Sequence, residues 1–164
     1  MTIQKLFLTF FGSGLSPKAP GTVGTLAALP VGAVMILYTG VGTLFMLTIA
    51  VAIIAIFEIN KYEKLTGEHD QKEIVIDEAV GIWITLLLSY NTAITVSFPS
   101  APIVALVVGF AAFRLFDIWK PSTLGWIDRA VKGGLGVMGD DILAGVAGGL
   151  LTALVLMGIE KYIA

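Results

Sequence analysis

The chain has 164 residues, of which 57% are hydrophobic and 13% are charged, and its mean hydropathy is +0.93. Soluble domains usually have about 25% charged residues, so this composition predicts a membrane protein. The net charge of −2 argues against a nucleic-acid-binding protein, and the absence of cysteine excludes a disulfide scaffold. A chain of this length is expected to form one domain over residues 1–164.

The apolar residues fall into five segments. No charged residue occurs within 19–57, 79–113 or 142–159, and turn-forming residues divide the first two of these tracts. The predicted segments are 22–38, 43–57, 79–96, 102–119 and 142–159. A membrane-spanning helix needs about 20 residues, so some of these short segments are expected to be tilted or only partly inserted.

The segments are predicted to be helical, because backbone groups in lipid must find their hydrogen-bond partners within the segment. They also lack the alternation of polar and apolar residues that is typical of barrel strands. We therefore expect an all-α fold: a compact multi-helical integral membrane protein with about five short apolar helices and interfacial polar loops. A soluble all-helical protein with a large core is the alternative that the composition leaves open.

The charges indicate how the protein is oriented. The turns within the uncharged tracts carry no charge, whereas most basic residues fall on the opposite side: Lys18, Lys61, Lys64, Lys72, Lys120, Arg129 and Lys132. Basic residues are enriched on the cytoplasmic side of membrane proteins, so this side is predicted to be cytoplasmic. Lys161 is the exception if all five segments cross. Trp83, Trp119 and Trp126 lie near predicted segment ends and are expected to form an interfacial belt.

Six acidic residues are predicted to meet at that cytoplasmic face: Asp77, Glu78, Asp117, Asp128, Asp140 and Asp141. Those that precede predicted helices could simply complement the helix dipole. Two carboxylates about 4 Å apart repel each other by roughly 4 kcal/mol at an effective dielectric constant near 20. Several of them can therefore converge only with protons or a cation between them. Oxygen ligands, with no cysteine and a single histidine in the chain, favour Mg²⁺ over zinc or copper.

Basic residues alternate with these acids near the end of the fourth segment. Arg114, Asp117 and Lys120 are three residues apart and therefore share one side of a helix. Such cations suit a phosphate group, because guanidinium binds its oxygens in a bidentate manner and ammonium acts as a point charge. The alternative is an internal ion pair of Asp117 with Arg114 or Lys120.

Two glycine-rich stretches, residues 12–25 and 133–139, precede the first and the last segments. Thr22 is predicted to cap the first helix, which would leave backbone N–H groups available to an anion. Neither stretch matches the P-loop pattern. Glycines 145, 148 and 149 are instead predicted to allow close packing of membrane helices.

The chain resembles the phosphatidylglycerophosphatase A family in four blocks that occur in the same order. The blocks are GSGLSP and APGTVG within 12–24, HD and IVIDEAVG within 69–81, FRLFDIWKP and DR within 113–129, and GGLGVMGDDILAG at 133–145. The resemblance implies a predominantly helical bacterial membrane protein that uses Mg²⁺ to remove the terminal phosphate of phosphatidylglycerophosphate, giving phosphatidylglycerol. The chain departs from the family pattern at Thr25 and at Ser122–Thr123, which bear on loop shape and substrate preference.

The residue pattern and the resemblance together lead to one hypothesis for the site. The expected metal ligands, for one or two Mg²⁺ ions, are Asp77, Glu78, Asp140 and Asp141. The expected catalytic residues are Asp117, Lys120 and Asp128. The expected substrate-binding residues are Lys18, Thr22, Arg114, Arg129 and Lys132. The pattern leaves open which acid acts as base, acid or nucleophile.

The expected partner is a phospholipid substrate in the bacterial cytoplasmic membrane, with the active site of this multi-pass protein facing the cytoplasm and no role for nucleic acid. The oligomeric state stays open, including a homo-oligomer. Two other classes also stay open. A small helical membrane transporter would need acids at mid-span, where the sequence has almost none. A structural membrane protein without hydrolase activity would be unaffected by Mg²⁺.

Overall fold

The structure, a computed structural model, describes residues 1–67, 71–119 and 133–163. Its helices are α1 (Ile3–Leu8), α2 (Pro20–Thr39), α3 (Val41–Thr66), α4 (Ile76–Thr95), α5 (Ala101–Trp119) and α6 (Gly134–Ile163), with a 3₁₀ turn at Ser13–Leu15. The described residues contain no β-strand, which confirms the all-α prediction. Several residues discussed above lie outside the described residues: His69, Lys120, Trp126, Asp128, Arg129 and Lys132.

Helix α4 lies at the centre of the structure, in contact with α2, α3, α5 and α6. Its buried side chains form much of the hydrophobic core and include Ala79, Val80, Ile82 and Trp83. Within the described ranges, the four surrounding helices are long and apolar enough to cross a membrane. All five predicted segments are therefore helices, and the third is enclosed by the other four.

The surrounding helices present large apolar side chains outward. Leu37, Phe57, Val107 and Leu154 are all exposed, and they belong to α2, α3, α5 and α6. Exposed apolar surface on this scale would be unfavourable in water, but it is the expected outer surface of a protein in lipid. The structure therefore supports a membrane protein rather than the soluble alternative.

Helix α2 begins before the predicted cap. Ala19 occupies the N-cap position with a φ of 48°, and no side chain caps the helix. Pro20 follows at the first helical position, where its missing N–H needs no partner and its fixed φ suits a helix start. The prediction that Thr22 caps this helix is therefore wrong, because the proline starts the helix two residues earlier.

Helix α6 also begins earlier than predicted, at Gly134 instead of residue 142. The side-chain oxygen of Asn60, in α3, accepts a hydrogen bond from the Gly134 N–H at 2.9 Å, which stabilises this early start. A side chain at position 134 would collide with the backbone of Ile56, so glycine also allows α6 to approach α3. Asp140 and Asp141 consequently lie in the second turn of α6 and do not precede it.

Helices α4 and α6 pack with their backbones in contact. A Cβ atom at Gly145 would collide with the carbonyl group of Gly81, and one at Gly148 would lie 3.0 Å from backbone atoms of Phe113 in α5. The hydroxyl group of Thr85 donates a hydrogen bond to the carbonyl oxygen of Gly145 at 3.0 Å. This arrangement confirms that small residues mediate helix packing here.

Trp83 joins α4 to α2 inside the core. It is 2% exposed, and its indole N–H donates a hydrogen bond to the carbonyl oxygen of Ala28 at 2.9 Å. The prediction that Trp83 belongs to an interfacial belt is therefore wrong, because a buried backbone acceptor satisfies its polar group. Trp119, at the end of α5, is 69% exposed as a belt residue would be.

The close contact between α4 and α6 leads us to expect that a larger residue at this point lowers the stability of the protein. Replacing Gly145 by alanine should lower the free energy of unfolding by about 1–3 kcal/mol, because the added methyl group overpacks the contact with Gly81. The same change at Gly158, also in α6, meets open space and should be neutral or raise stability by up to about 1 kcal/mol. Unfolding of both variants in detergent micelles measures this difference, and equal stabilities would contradict it.

Candidate active site

A cavity of about 300 Å³ lies where α2, α4 and α6 begin and α5 ends. Successive long helices run in opposite directions, so the starts of α2, α4 and α6 and the end of α5 meet at one end of the bundle. Among the described residues, five acidic and two basic side chains line this acidic cavity: Asp77, Glu78, Asp117, Asp140, Asp141, Lys72 and Arg114. The prediction that charged residues distant in sequence meet at one end of the molecule is confirmed for this set.

Three of these carboxylates form a tight group, which we call the acidic trio: Asp77, Glu78 and Asp141. One oxygen from each lies within 4.8 Å of the others. Asp77 and Glu78 belong to the first turn of α4, and Asp141 comes from the second turn of α6. The backbone contact between Gly81 and Gly145 brings these two turns together. A metal ion could be held by such a group of oxygens.

Two members of the acidic trio, Asp77 and Asp141, are buried, and Glu78 is partly buried. Asp77 and Asp141 are 7% and 4% exposed, and two oxygens, Asp77 Oδ1 and Glu78 Oε2, have no hydrogen-bond partner among the described residues. Burial raises the pKa of Asp77 well above its usual range, and the nearby Glu78 carboxylate raises it further. Burial also raises the pKa of Glu78 to about 8. Without a proton or a cation between them, these charges would repel each other strongly.

The start of α2 closes one side of the acidic trio. A Cβ atom at Gly21 would collide with Glu78 Oε1 and would lie 3.3 Å from Arg114 Nη1. Glycine at this position therefore lets the α2 backbone approach the trio and the arginine together. This close approach explains why a glycine follows Pro20.

Arg114 and Asp117 form an ion pair across one turn of α5. Both side chains are mostly buried, and both line the acidic cavity. The internal pairing that the three-residue spacing allows is therefore present for Arg114. The Nε atom of Arg114 is buried and has no hydrogen-bond partner among the described residues, so part of the guanidinium group remains available.

The loop of residues 71–75, which leads into α4, is held from two sides. Glu73 accepts a hydrogen bond from the Tyr62 hydroxyl at 2.6 Å and forms an ion pair with Lys5 at 2.8 Å. The N–H of Val75 donates a hydrogen bond to the carbonyl oxygen of Leu8 at 3.0 Å. The hydrogen bond between Glu73 and Lys5 holds the pKa of Glu73 below its usual range and raises the pKa of Lys5. This loop therefore has a defined position beside the acidic cavity.

The structure brings together only some of the predicted site residues. Asp140 lines the acidic cavity but is not part of the acidic trio. Lys18 and Thr22 do not line this cavity. The remaining predicted site residues lie outside the described residues, and their roles stay predictions: Lys120, Asp128, Arg129 and Lys132.

Two polar residues that line the cavity, Gln71 and Lys72, were not among the predicted site residues. From the sequence, Lys72 was predicted only to lie on the cytoplasmic side. Its position five residues before Asp77 was the available signal, because a short loop keeps it close to the start of α4.

The acidic cavity adjoins the outer surface of α5. An open depression of about 750 Å³ runs along this helix and is lined by Ala111, Arg114, Leu115, Ile118 and Trp119. Arg114 and Ile118 line both the depression and the acidic cavity. Leu115, Ile118 and Trp119 are at least half exposed, so apolar surface leads directly to the charged group.

Comparison with known proteins identifies the family of this chain. The family model described as Phosphatidylglycerophosphatase A matches residues 6–156, a range that extends from α1 into α6 and includes the acidic trio. The chain belongs to the phosphatidylglycerophosphatase A family. Its members are named as phosphatases, and this resemblance was already carried by the four sequence blocks.

Three relatives illustrate the phosphatidylglycerophosphatase A similarity. Phosphatidylglycerophosphatase A of Escherichia coli is 41% identical over 137 residues, which cover 83% of this chain and 73% of that protein. Phosphatidylglycerophosphatase A of Haemophilus influenzae is 35% identical, covering 83% of this chain and 78% of its own length. A Bacteroides thetaiotaomicron protein named "Putative phosphatidylinositol-3-phosphatase" is 37% identical, covering 89% of each chain. No solved structure matches this chain.

The ion pair that holds the loop before α4 gives a pH-dependent prediction. Because the pKa of Glu73 is lowered in the folded state, the pair stabilises the protein above the unfolded-state pKa of about 4.3, and this contribution disappears as pH falls through the folded-state pKa. Glu73→Gln should therefore cost about 0.2–1 kcal/mol of stability at neutral pH and much less in acid.

Thermal unfolding of wild type and Glu73→Gln in detergent between about pH 3 and pH 7 measures this difference. Lys5→Met is the matched partner variant. Its effect should not add to that of Glu73→Gln, because either change removes the same ion pair. A difference between wild type and Glu73→Gln that stays constant with pH would contradict the role of the pair.

Proposed function

We propose that this protein is a Mg²⁺-dependent lipid phosphatase that hydrolyses the terminal phosphate monoester of phosphatidylglycerophosphate, giving phosphatidylglycerol in phospholipid biosynthesis. The observation that carries the proposal is the acidic trio, in which two buried carboxylates and one partly buried carboxylate place one oxygen each within 4.8 Å of the others, beside a lipid-facing helix. Membership of the phosphatidylglycerophosphatase A family and the names of two relatives support this substrate.

The residues present fit a hard divalent cation. Asp77 Oδ1 and Glu78 Oε2 are buried without partners among the described residues, and a cation would satisfy both. Asp77, Glu78 and Asp141 would hold Mg²⁺, and Asp140 would add a further acidic group at the cavity wall. When bound, Mg²⁺ would supply polarisation of the phosphoryl oxygens and a more acidic water molecule.

The other residues of the cavity would bind and orient the phosphate group. Arg114 would donate hydrogen bonds to phosphoryl oxygens, through the part of its guanidinium group that Asp117 does not occupy. Asp117 would hold Arg114 in place or orient the attacking water molecule. Lys120 and Asp128 stay as the predicted groups that neutralise the phosphate and protonate the leaving glycerol oxygen.

The substrate would keep its acyl chains in the membrane during the reaction. The depression along α5 is apolar and leads to Arg114, so the lipid tails could lie along Leu115 and Trp119 while the headgroup enters the acidic cavity. Lys18, Arg129 and Lys132 stay as predicted contacts to the headgroup. By the tendency of basic residues to remain inside, the site would face the cytoplasm of a bacterial cell.

The proposal predicts the outcome of a phosphate-release assay on purified protein in detergent micelles that contain phosphatidylglycerophosphate. A chelator should abolish phosphate release, and added Mg²⁺ should restore it. Asp141→Asn and Glu78→Gln should each lower kcat/KM by at least about 100-fold, since loss of even an indirect metal partner costs about 10–100-fold.

Glu160→Gln is the matched control, because this acid lies at the other end of the bundle, where it accepts a hydrogen bond from the Ser97 N–H. It should leave kcat/KM within about twofold of wild type, since isolated surface changes have small effects. Phosphate release that persists in chelator, or in Asp141→Asn, would contradict the assignment of the acidic trio. A transporter or a structural protein would release no phosphate at all.

A further inference from the structure

We propose that Lys72 forms a second anion-binding subsite at the mouth of the acidic cavity, where it binds the phosphodiester group of the lipid while the acidic trio and Arg114 act on the monoester. The inference rests on the proposed function and adds to it a residue that determines which lipid phosphates bind well.

Lys72 and the acidic trio occupy different depths of one cavity. Both line it, but Asp77 and Asp141 are buried, whereas Lys72 is exposed. A headgroup whose terminal phosphate reaches the buried carboxylates must extend from there towards the exposed side of the cavity. Lys72 is therefore placed to contact the part of the headgroup that follows the reacting phosphate.

The charges of the cavity favour a second cation for a ligand with two phosphates. Five carboxylates line the described part of the cavity, and a divalent cation at the trio offsets only part of their charge. Arg114 is paired with Asp117, whereas Lys72 forms no ion pair with any described residue. The ammonium group of Lys72 is thus the described cation that remains for a second anion.

The backbone of Lys72 has a defined position. The next residue, Glu73, is tied to α1 by Lys5 and to α3 by Tyr62. The N–H of Ile74 donates a hydrogen bond to the carbonyl oxygen of Gln71 at 2.9 Å, which closes a turn around Lys72. A Cβ atom at Gly14 would collide with the carbonyl oxygen of Glu73, so the loop also packs against the 3₁₀ turn. A lysine on a fixed loop loses less backbone freedom on binding than a lysine on a free loop.

Each of the two products of the proposed reaction contains one of the two phosphate groups that the site is proposed to bind. Phosphatidylglycerol retains the phosphodiester and has no monoester, whereas inorganic phosphate resembles only the group that is released. If Lys72 binds the phosphodiester, removal of its charge weakens binding of phosphatidylglycerol and of the substrate, but not of inorganic phosphate.

The test measures inhibition of phosphatidylglycerophosphate hydrolysis by each product, in micelles of a non-ionic detergent with Mg²⁺. Relative to wild type, Lys72→Gln should raise the inhibition constant of phosphatidylglycerol and the KM by about tenfold each, as expected for loss of one charge-assisted hydrogen bond. The inhibition constant of inorganic phosphate and kcat should stay within about twofold. Lys72→Arg should restore most of the affinity for phosphatidylglycerol.

Two controls separate this effect from general ones. Lys64→Gln removes an exposed lysine of α3 that does not line the cavity, and it should leave all four constants unchanged. Diacylglycerol, which has no phosphate, replaces phosphatidylglycerol in parallel micelles and corrects for dilution of the substrate by added lipid.

The following outcomes would each contradict the proposed subsite. Equal weakening of phosphate and phosphatidylglycerol in Lys72→Gln would place Lys72 at the reacting group. Unchanged constants, or a wild type that phosphatidylglycerol does not inhibit, would contradict the proposed binding of the phosphodiester by Lys72. These results leave the proposed function intact, whereas a wild type that releases no phosphate contradicts the proposed function itself.

Discussion

Mutual repulsion within the acidic trio is the constraint on which the site depends. Each pair of charges about 4 Å apart costs roughly 4 kcal/mol at an effective dielectric constant near 20, and burial removes the water that would otherwise solvate them. The fold nevertheless holds Asp77, Glu78 and Asp141 together through backbone packing of α4 against α6. The repulsion is reduced by the helix starts that face the cavity, by Arg114, and by protons on the acids themselves, since burial raises the pKa of Asp77 and of Glu78; a bound cation would have the same effect.

The position of α4 follows from the same constraint. Its first turn carries two acids, which would be costly in lipid, so the other four long helices enclose it and present their own apolar surfaces outward. Helix α5 connects these two environments, because its end carries Arg114 and Asp117 on the cavity side and Leu115 and Trp119 on the outer side. An amphiphilic ligand could thus meet charge and apolar surface on one helix.

The sequence was sufficient to predict the helices and the gathering of acids, because uncharged tracts and charged clusters alternate cleanly along the chain. The Arg114–Asp117 pair was also predictable, since its geometry depends only on spacing within one helix. Features that depend on a distant partner were not. The start of α6 depends on Asn60, and the burial of Trp83 depends on a carbonyl group of α2. The position of Lys72 beside the site depends on contacts that Glu73 makes with α1 and α3.

The contact between Gly81 and Gly145 also limits how α4 and α6 can move. Because main chain meets main chain there, no side chain lies between these two residues whose rotation could change the spacing of the helices at this point. Separation of the helices would also break the hydrogen bond from the Thr85 hydroxyl to the carbonyl oxygen of Gly145. The backbone segments that carry Asp77 and Asp141 are therefore held at a fixed spacing, and rotation of the carboxylate side chains is the remaining way for the acidic trio to adapt to a ligand.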